Sequence, residues 1–401
     1  MLLNLDRARK LMDENDLDAV VASIWENVTY LSDFSYRLVN MWRTTQIYAV
    51  LPRQGEPALI VPVMGSLALA ETPTWIADVR IYGRFPIVPP AGQELAAGDA
   101  ALAPWLDRAE SSGYTEGIQT LVAVLRDRGL AHGRIGVDEG HMTPELWQRL
   151  QAGVPGARLV PAYDLFRAIR MVKTPEEIRR LEEAAHTTER AIKHSAELLR
   201  EGVSEQELLD AYLTSLVNDG ALPGSFLIAV GSRTGAFLPI SREARLLRGD
   251  IIKYDVGCIK NEYWADMART MSLGTPNEKA RTYYRALHDA HLESMAAIRP
   301  GMTVSEVFHR SVNAVRRNGL THYTRPHVGH GIGVEYYDPP MLRPPLSPGD
   351  PDTTLEENMV LCFEHPYYEV GFGGLSVEDT IVITENGVRS FTSLPRELWE
   401  I

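Results

Sequence analysis

Two seven-residue stretches, "GVSEQEL" from Gly202 and "GMTVSEV" from Gly301, align without a gap. Each offers a hydroxyl N-cap, Ser204 or Thr303, answered three residues later by Glu207 or Glu306. That pairing satisfies two orphan backbone donors at once and starts a helix. Each stretch follows a long helical pattern, one opening at Thr174, Pro175 and Glu177, the other at Thr275-Pro276. A single start of this kind is common. Two consecutive starts recurring at nearly the same offset point to an internal duplication. A duplicated unit implies a pseudo-twofold domain with a shared central site.

The chain upstream has a different grammar. "DAVVASI", "QIYAVLP", "PALIVPV" and "RIGVDEG" read as short strands. "GIQTLVAVLRDRG" and "TPELWQRLQAG" have helical spacing and end near a glycine. The alternation predicts an α/β domain over residues 1–160, with the duplicated domain over 161–401. A length of 401 residues accommodates both. The net charge of -13 argues against nucleic acid and anionic membranes as partners. Only Cys258 and Cys362 are present, so there is no disulfide framework and a reducing compartment is expected. The start reads as an amphipathic helix followed by a strand, not a signal peptide, and no apolar run is long enough to span a bilayer. A cytoplasmic location is expected.

The chemistry lies where acids interrupt apolar strand-like runs. "GDIIKYDVGCIKNEYWADMARTMSLG" carries Asp255 and Asp266 on two stretches joined by "KNE", which reads as a hairpin. "MVLCFEHPYYEVGFGGLSVEDTIVI" repeats the form with Glu364 and Glu378, its turn holding Gly371, Gly373 and Gly374. Aspartate is depleted in strands, and a buried carboxylate is costly unless paired or metal-bound. Any one of these acids alone reads as a surface or ion-paired group. Four, on two apolar hairpins with "PHVGHGIGVEYYDPP" between them, point to divalent cations such as Mn, Co, Fe or Zn. The "GHGIG" run lacks the lysine and spacing of a phosphate-binding loop. Cys258 and Cys362 neighbour ligand positions, but thiolates are soft ligands for such a site, and both read as small buried apolar residues.

Asp255, Asp266 eleven residues on, "GHGIG", Glu364, and Glu378 within "VED" together resemble the pita-bread (M24-type) metallohydrolases. These include aminopeptidase P, prolidase, methionine aminopeptidase and the creatinase-like enzymes. "ENVTYLSDF", Glu26 to Phe34, is similar to the creatinase-type N-terminal domain, so the resemblance spans the chain. It implies two divalent metal ions, manganese among the candidates. His330 and Glu364 would hold one ion and Asp255 the other, with Asp266 and Glu378 bridging. Glu364 would also take part in catalysis. The resemblance further implies a homodimer in which the first domain of one chain helps close the site of the other. Trp25, Trp42 and Tyr48 are aromatic candidates for that interface.

The pattern departs from the proline-specific peptidases at three points. Tyr337 stands where they carry a second histidine, Leu238 lies where another is expected upstream, and Ser376 replaces the arginine of an Arg-x-Glu-Asp motif. Metal chemistry is kept while peptide-handling groups change. The expected activity is a metal-dependent hydrolase of an amide-like C–N bond in a short peptide or small molecule, resembling Xaa-Pro peptidases. The alternatives are a cyclic amidine hydrolase like ectoine hydrolase, a lyase resembling dimethylsulfoniopropionate lyase, and a metal-free peptide-binding module. Retention of all five ligands argues against the last. Tyr336, Tyr337 and His327 are the further catalytic candidates. Regular strand alternation puts Tyr336 on the face of His330, whereas Tyr337 needs a bulge to reach it. His327 and His365 each also read as ordinary packed or surface histidines.

Overall fold

The computed structural model describes residues 1–36, 44–72, 74–85, 96–110, 113–347 and 349–401. The chain forms two compact units, Met1–Arg170 and Met171–Ile401. The division falls later than residue 160 because the helix Tyr163–Arg170 packs on the first helix, Leu5–Glu14, and stays with the first unit.

The first unit is built on six strands: β1 (Ala19–Ala22), β2 (Tyr48–Pro52), β3 (Ala58–Pro62), β4 (Asp78–Tyr82), β5 (Arg134–Val137) and β6 (Arg158–Pro161). They lie in the order β4-β3-β2-β1-β5-β6. The β1–β2 and β2–β3 pairs are antiparallel, and the other three pairs are parallel. The central strands are the apolar runs legible in the sequence. The sequence did not signal β4 and β6, the two edges. An edge strand tolerates charge, as in β4, where Arg80 pairs with Asp78 across a single intervening residue. Val21, Val50, Ile60, Leu121, Leu125, Ile135 and Leu150 form the core on one side of the sheet. Trp25 and Tyr48 belong to the buried interior of this unit and do not form an exposed aromatic face. Their bulk is better used inside the unit's own core. Trp42 lies outside the described residues.

The second unit repeats a helix–helix–hairpin plan. In the first half, the helices Pro175–Ala196 and Glu205–Asn218 precede β7 (Leu222–Val230), β8 (Ile251–Lys260), β9 (Tyr263–Trp264) and β10 (Met267–Ser272). In the second half, the helices Glu278–Ala297 and Val304–Arg317 precede β11 (Gly329–Gly331), β12 (Asp338–Met341), β13 (Val360–Glu364), β14 (Tyr367–Glu369), β15 (Gly373–Leu375) and β16 (Glu378–Thr384), with β17 (Gly387–Ser390) and β18 (Trp399–Glu400) closing the chain. The capping boxes at Thr174/Glu177, Ser204/Glu207 and Thr303/Glu306 are all formed. The Thr275-Pro276 start is not: Asn277 caps that helix by accepting from Ala280 N–H. Asparagine is at least as good a cap as threonine, so the helix begins beyond the proline. The repeat extends to isolated bridges after each second cap, Ser204 with Arg245 and Thr303 with Thr354.

One sheet runs β12-β11-β13-β16-β10-β8-β7 and joins the two halves where β16 meets β10. Separate apolar cores cover its helical side, one per half, centred on Leu287, Val315 and Ile381 and on Leu208, Tyr212 and Val256. Among the described residues no helix is long and apolar enough to cross a membrane.

Candidate metal centre

Register decides which side chains meet. Asp255 pairs with Ala268, and Ala268 pairs with Glu378. Glu378 stands directly opposite Glu364, and His330 stands opposite Cys362, two residues before Glu364. With a side-chain period of two, these positions share one face of the sheet. Asp266 sits just before β10, outside the strand that the sequence suggested, but with the parity of Ala268. The "KNE" turn forms as expected, with Asn261 and Glu262 at φ 50° and 71°. Asp255, Asp266, His330, Glu364 and Glu378 all line one cavity of about 310 Å³.

Ligand-capable atoms of Asp266, His330, Cys362 and Glu378 lie within 4.8 Å of one another. The His330 tautomer follows from its partner: Nδ1 lies 2.8 Å from the Gly331 carbonyl and donates to it. That leaves Nε2, 3.5 Å from Asp266 Oδ2, as the lone pair facing the acids. The flanking glycines permit the close approach. A Cβ on Gly329 would meet the Cys362 carbonyl at 2.1 Å, and one on Gly331 the Pro339 carbonyl at 2.2 Å. Cys362 is the member of this group that chemistry disfavours. Burial pushes its thiol well above the usual range, and Sγ lies 3.8 Å from both the Asp266 carbonyl and Thr380 Oγ1.

The electrostatics call for cations. Two glutamates face each other across neighbouring strands, a destabilising pair unless something positive lies between. Burial pushes Asp255 up to about 6, with Lys253 opposing and Asp266 and Glu364 adding to the rise. Burial, then Asp266, Glu364 and Asp255, drive Glu378 well above the carboxylate range. Burial also disfavours charge on Glu364, but His327 and Arg325 outweigh it and hold its pKa low. Asp266 Oδ1 is buried with no hydrogen-bond partner among the described residues. An orphaned carboxylate oxygen among mutually repelling acids, with an imidazole lone pair beside it, fits divalent metal.

Asp379, next to Glu378, is a different case. Burial opposes its charge, yet Arg269, His291 and Arg396 hold it well below the carboxylate range. Arg269 Nη2 donates to Asp379 Oδ1 at 2.7 Å and Nη1 to the Glu378 carbonyl at 2.6 Å. His291 Nε2 lies 2.9 Å from Asp379 Oδ2. This buried network fixes the backbone that presents Glu378.

Both tyrosines reach the cavity. Regular alternation would send them to opposite faces, but no regular strand runs between β11 and β12, and the β11–β12 register shifts after His330. The chain bends, and the Tyr336 and Tyr337 rings lie 5.6 and 4.3 Å from the His330 ring. Tyr336 is largely buried, its hydroxyl reaches Asp266, and burial plus the acids push its pKa far up. Tyr337 is 49% exposed and is pushed up to about 12 by burial, then by the same acids. His327 lines the cavity with Nδ1 3.0 Å from Glu364 Oε1. His365 does not line it; its Nδ1 lies 3.2 Å from His291 Nδ1 in the core.

Some site residues gave no signal that the sequence reading used. Arg325 lines the cavity, with Nη2 3.3 Å from Glu364 Oε1. Tyr368 and Phe237 form a wall with ring centroids 5.0 Å apart. Lys253, wholly buried, points Nζ to within 3.5 Å of Asp255 Oδ2. The spacing of Lys253 two residues before Asp255 was the available clue. Of the substituted positions, neither Leu238 nor Ser376 lines the cavity, and the buried Ser376 hydroxyl has no hydrogen-bond partner among the described residues.

The metallopeptidase family M24 matches residues 179–385, and the creatinase/prolidase N-terminal domain matches residues 4–172. An uncharacterized peptidase of Bacillus subtilis is 31% identical over 283 residues, covering 70% of this chain and 78% of the relative. An Xaa-Pro dipeptidase of Pyrococcus furiosus is 33% identical over 237 residues, covering 59% of this chain and 67% of the relative. The solved structure of an Xaa-Pro dipeptidase from Bacillus anthracis superposes with a TM-score of 0.80 at 22% identity, covering 99% of each chain. The repeated halves and the acid-lined cavity at their junction agree with these matches, and the chain belongs to the metallopeptidase family M24, a metal-dependent hydrolase on the pita-bread fold.

Proposed function

We propose that this chain is a binuclear hydrolase of an amide-like C–N bond in a dipeptide-sized substrate. The observation that carries this reading is the convergence of Asp255, Asp266, His330, Glu364 and Glu378 on one face and in one cavity. By this reading Asp255, Asp266, His330, Glu364 and Glu378 would together hold the two ions, with His330 and Glu364 on one side of the site and Asp255 on the other. When bound, the ions supply Lewis-acid polarisation and a water of lowered pKa. Glu364, kept ionised by His327 and Arg325, takes the proton of the attacking water. Tyr336, whose hydroxyl reaches Asp266 at the edge of the cavity, would donate a hydrogen bond where negative charge develops on the substrate. A cavity of about 310 Å³ suits a small substrate. A homodimer is part of the same reading and rests on family membership alone.

Replacing Tyr336 by Phe keeps the ring and removes the hydroxyl. The expected result is a kcat lower by roughly 10- to 1000-fold with metal content unchanged. A Tyr336→Phe enzyme with wild-type kcat moves the donor elsewhere, Tyr337 first.

Substrate preference is tested with the metal-loaded enzyme on a panel of Xaa-Pro dipeptides, other dipeptides and small cyclic amides. With Ser376 and Leu238 in place of arginine and histidine, Xaa-Pro turnover is expected to run on the order of 100-fold below ordinary dipeptidase rates. Ordinary peptidase turnover of a simple Xaa-Pro dipeptide contradicts that expectation. Turnover of no C–N substrate, with elimination from a β-substituted acid in its place, contradicts the hydrolase reading.

A further inference from the structure

We propose that the free edge of β7 at Phe226 is a main-chain pairing site for an extended peptide, so that the preferred substrate is a linear chain running beyond the dipeptide-sized part held in the cavity. The inference rests on the reading of this chain as a hydrolase of an amide-like bond. β7 is an outer strand: it pairs with β8 and, among the described residues, with no strand on its other side. In an antiparallel ladder successive residues turn their N–H and C=O groups alternately toward and away from the neighbour. Two observations fix which residues of β7 turn away. Leu273 N–H donates to the carbonyl of Asp250, just before β8, so the even-numbered residues of β8 face β10 and the odd-numbered ones face β7. Leu227, opposite Asp255, and Ala229, opposite Lys253, therefore face β8. Phe226, Ile228 and Val230 face away, and Val230 N–H accordingly donates to Glu205 Oε1 at 3.1 Å.

The edge is closed on both sides of Phe226. Downstream, Ile228 is buried and Glu205 takes the Val230 N–H. Upstream, Pro223 has no N–H, and the register shifts between Pro223 and Phe226. Proline and a bulge both keep an edge from pairing. Phe226 is left open: it is 43% exposed, and neither its N–H nor its C=O has a partner outside the ladder among the described residues. This open position lies on the cavity, which Ser225, Phe226 and Leu227 all line. Phe226 and Leu227 send their side chains to opposite faces, so the cavity meets the edge of the strand. Ser225, within the bulge, adds a buried hydroxyl with no hydrogen-bond partner among the described residues. A chain added outside β7 runs about 10 Å from β8, the strand of Asp255, because neighbouring strands lie about 4.8 Å apart. At about 3.4 Å per extended residue, roughly three residues separate a bond held at the acids from the pairing position. A dipeptide or a small ring falls short of it, and a longer linear peptide reaches it. Pairing of this kind reads length and extension through the main chain.

The test is steady-state kinetics of the full-length, metal-loaded enzyme on linear alanine peptides of two to five residues, and on the longer peptides methylated in turn at each amide nitrogen other than the scissile one. KM is expected to fall roughly 5- to 50-fold from the dipeptide to the first peptide long enough to pair, with kcat nearly unchanged, as one or two main-chain hydrogen bonds would give. Methylating one of those nitrogens should erase the gain. Phe226→Pro removes the outward N–H without touching the ladder to β8 and should erase it too, whereas Phe226→Ala removes the ring, keeps the N–H and should retain it. If Phe226→Pro does not fold, the methylated peptides carry the test on the wild type. A KM independent of length, or a gain that no methylation reduces, overturns the inference while leaving the hydrolase reading standing. A KM independent of length, with a particle mass halved by Phe226→Pro in light scattering, assigns the edge to a second copy of the chain and overturns it as well. Turnover of no linear peptide overturns the inference and the peptide part of the hydrolase reading together.

Discussion

Asp266→Ala is expected to lower kcat/KM by roughly 1000-fold or more, since both ions share this carboxylate in the proposed arrangement. Its Oδ1 is buried and orphaned, and its Oδ2 is the acid oxygen nearest His330 Nε2. Alanine leaves a cavity where the two ions would be bridged, and the remaining acids repel each other no less. Thermal denaturation separates loss of metal from loss of fold. Saturating Mn²⁺ should raise the wild-type Tm by several degrees, roughly 5–10 °C at 100 times the dissociation constant. The variant should fold and show no such rise. A variant with wild-type activity, or with an undiminished metal-dependent rise in Tm, contradicts the role of Asp266.

The second large effect is on stability. Arg269→Met should destabilise the second unit by about 3–5 kcal/mol, the range for breaking a buried ion pair from one side. Arg269 is fully enclosed and donates to Asp379, to the Leu394 carbonyl, and to the Ala268 and Glu378 carbonyls. Methionine fills much of the volume but leaves Asp379 with His291, Thr392 and Arg396 alone. For a unit of this size the change corresponds to a fall in Tm of roughly 6–20 °C. Because Arg269 holds the backbone of Glu378, metal affinity should fall with it. A Tm within about 2 °C of wild type would show that the remaining partners of Asp379 compensate for the arginine.

The parts of this protein that were legible in sequence are those where local chemistry and the global fold agree. The capping boxes at Ser204 and Thr303 form as read, because a cap is satisfied within four residues. The four acids stood out because carboxylates in apolar strands carry a cost that only a partner removes. What stayed hidden depended on register or on irregular backbone. Edge strands β4 and β6 lack the apolar excess that marks a central strand. The Asn277 cap lost to a Thr-Pro pair that reads equally well in isolation. Tyr336 and Tyr337 were expected on opposite sides, and the bend after His330 turns both into the cavity. Arg325 and Phe237 come from loops, where no periodicity reports direction. Lys253 differs, since it follows the same two-residue parity as Asp255 and could have been placed from sequence by applying that rule to a cation.

The central claim is that five side chains on one sheet face hold two ions that share carboxylates. The direct measurement is electron paramagnetic resonance of the metal-free protein titrated with Mn²⁺, with the bound metal counted in the same samples. The account predicts two ions per chain at saturation and, beyond the first equivalent, the broadened signal of two exchange-coupled ions. Saturation at one ion per chain, or two ions that keep the spectrum of isolated Mn²⁺ throughout, would contradict it.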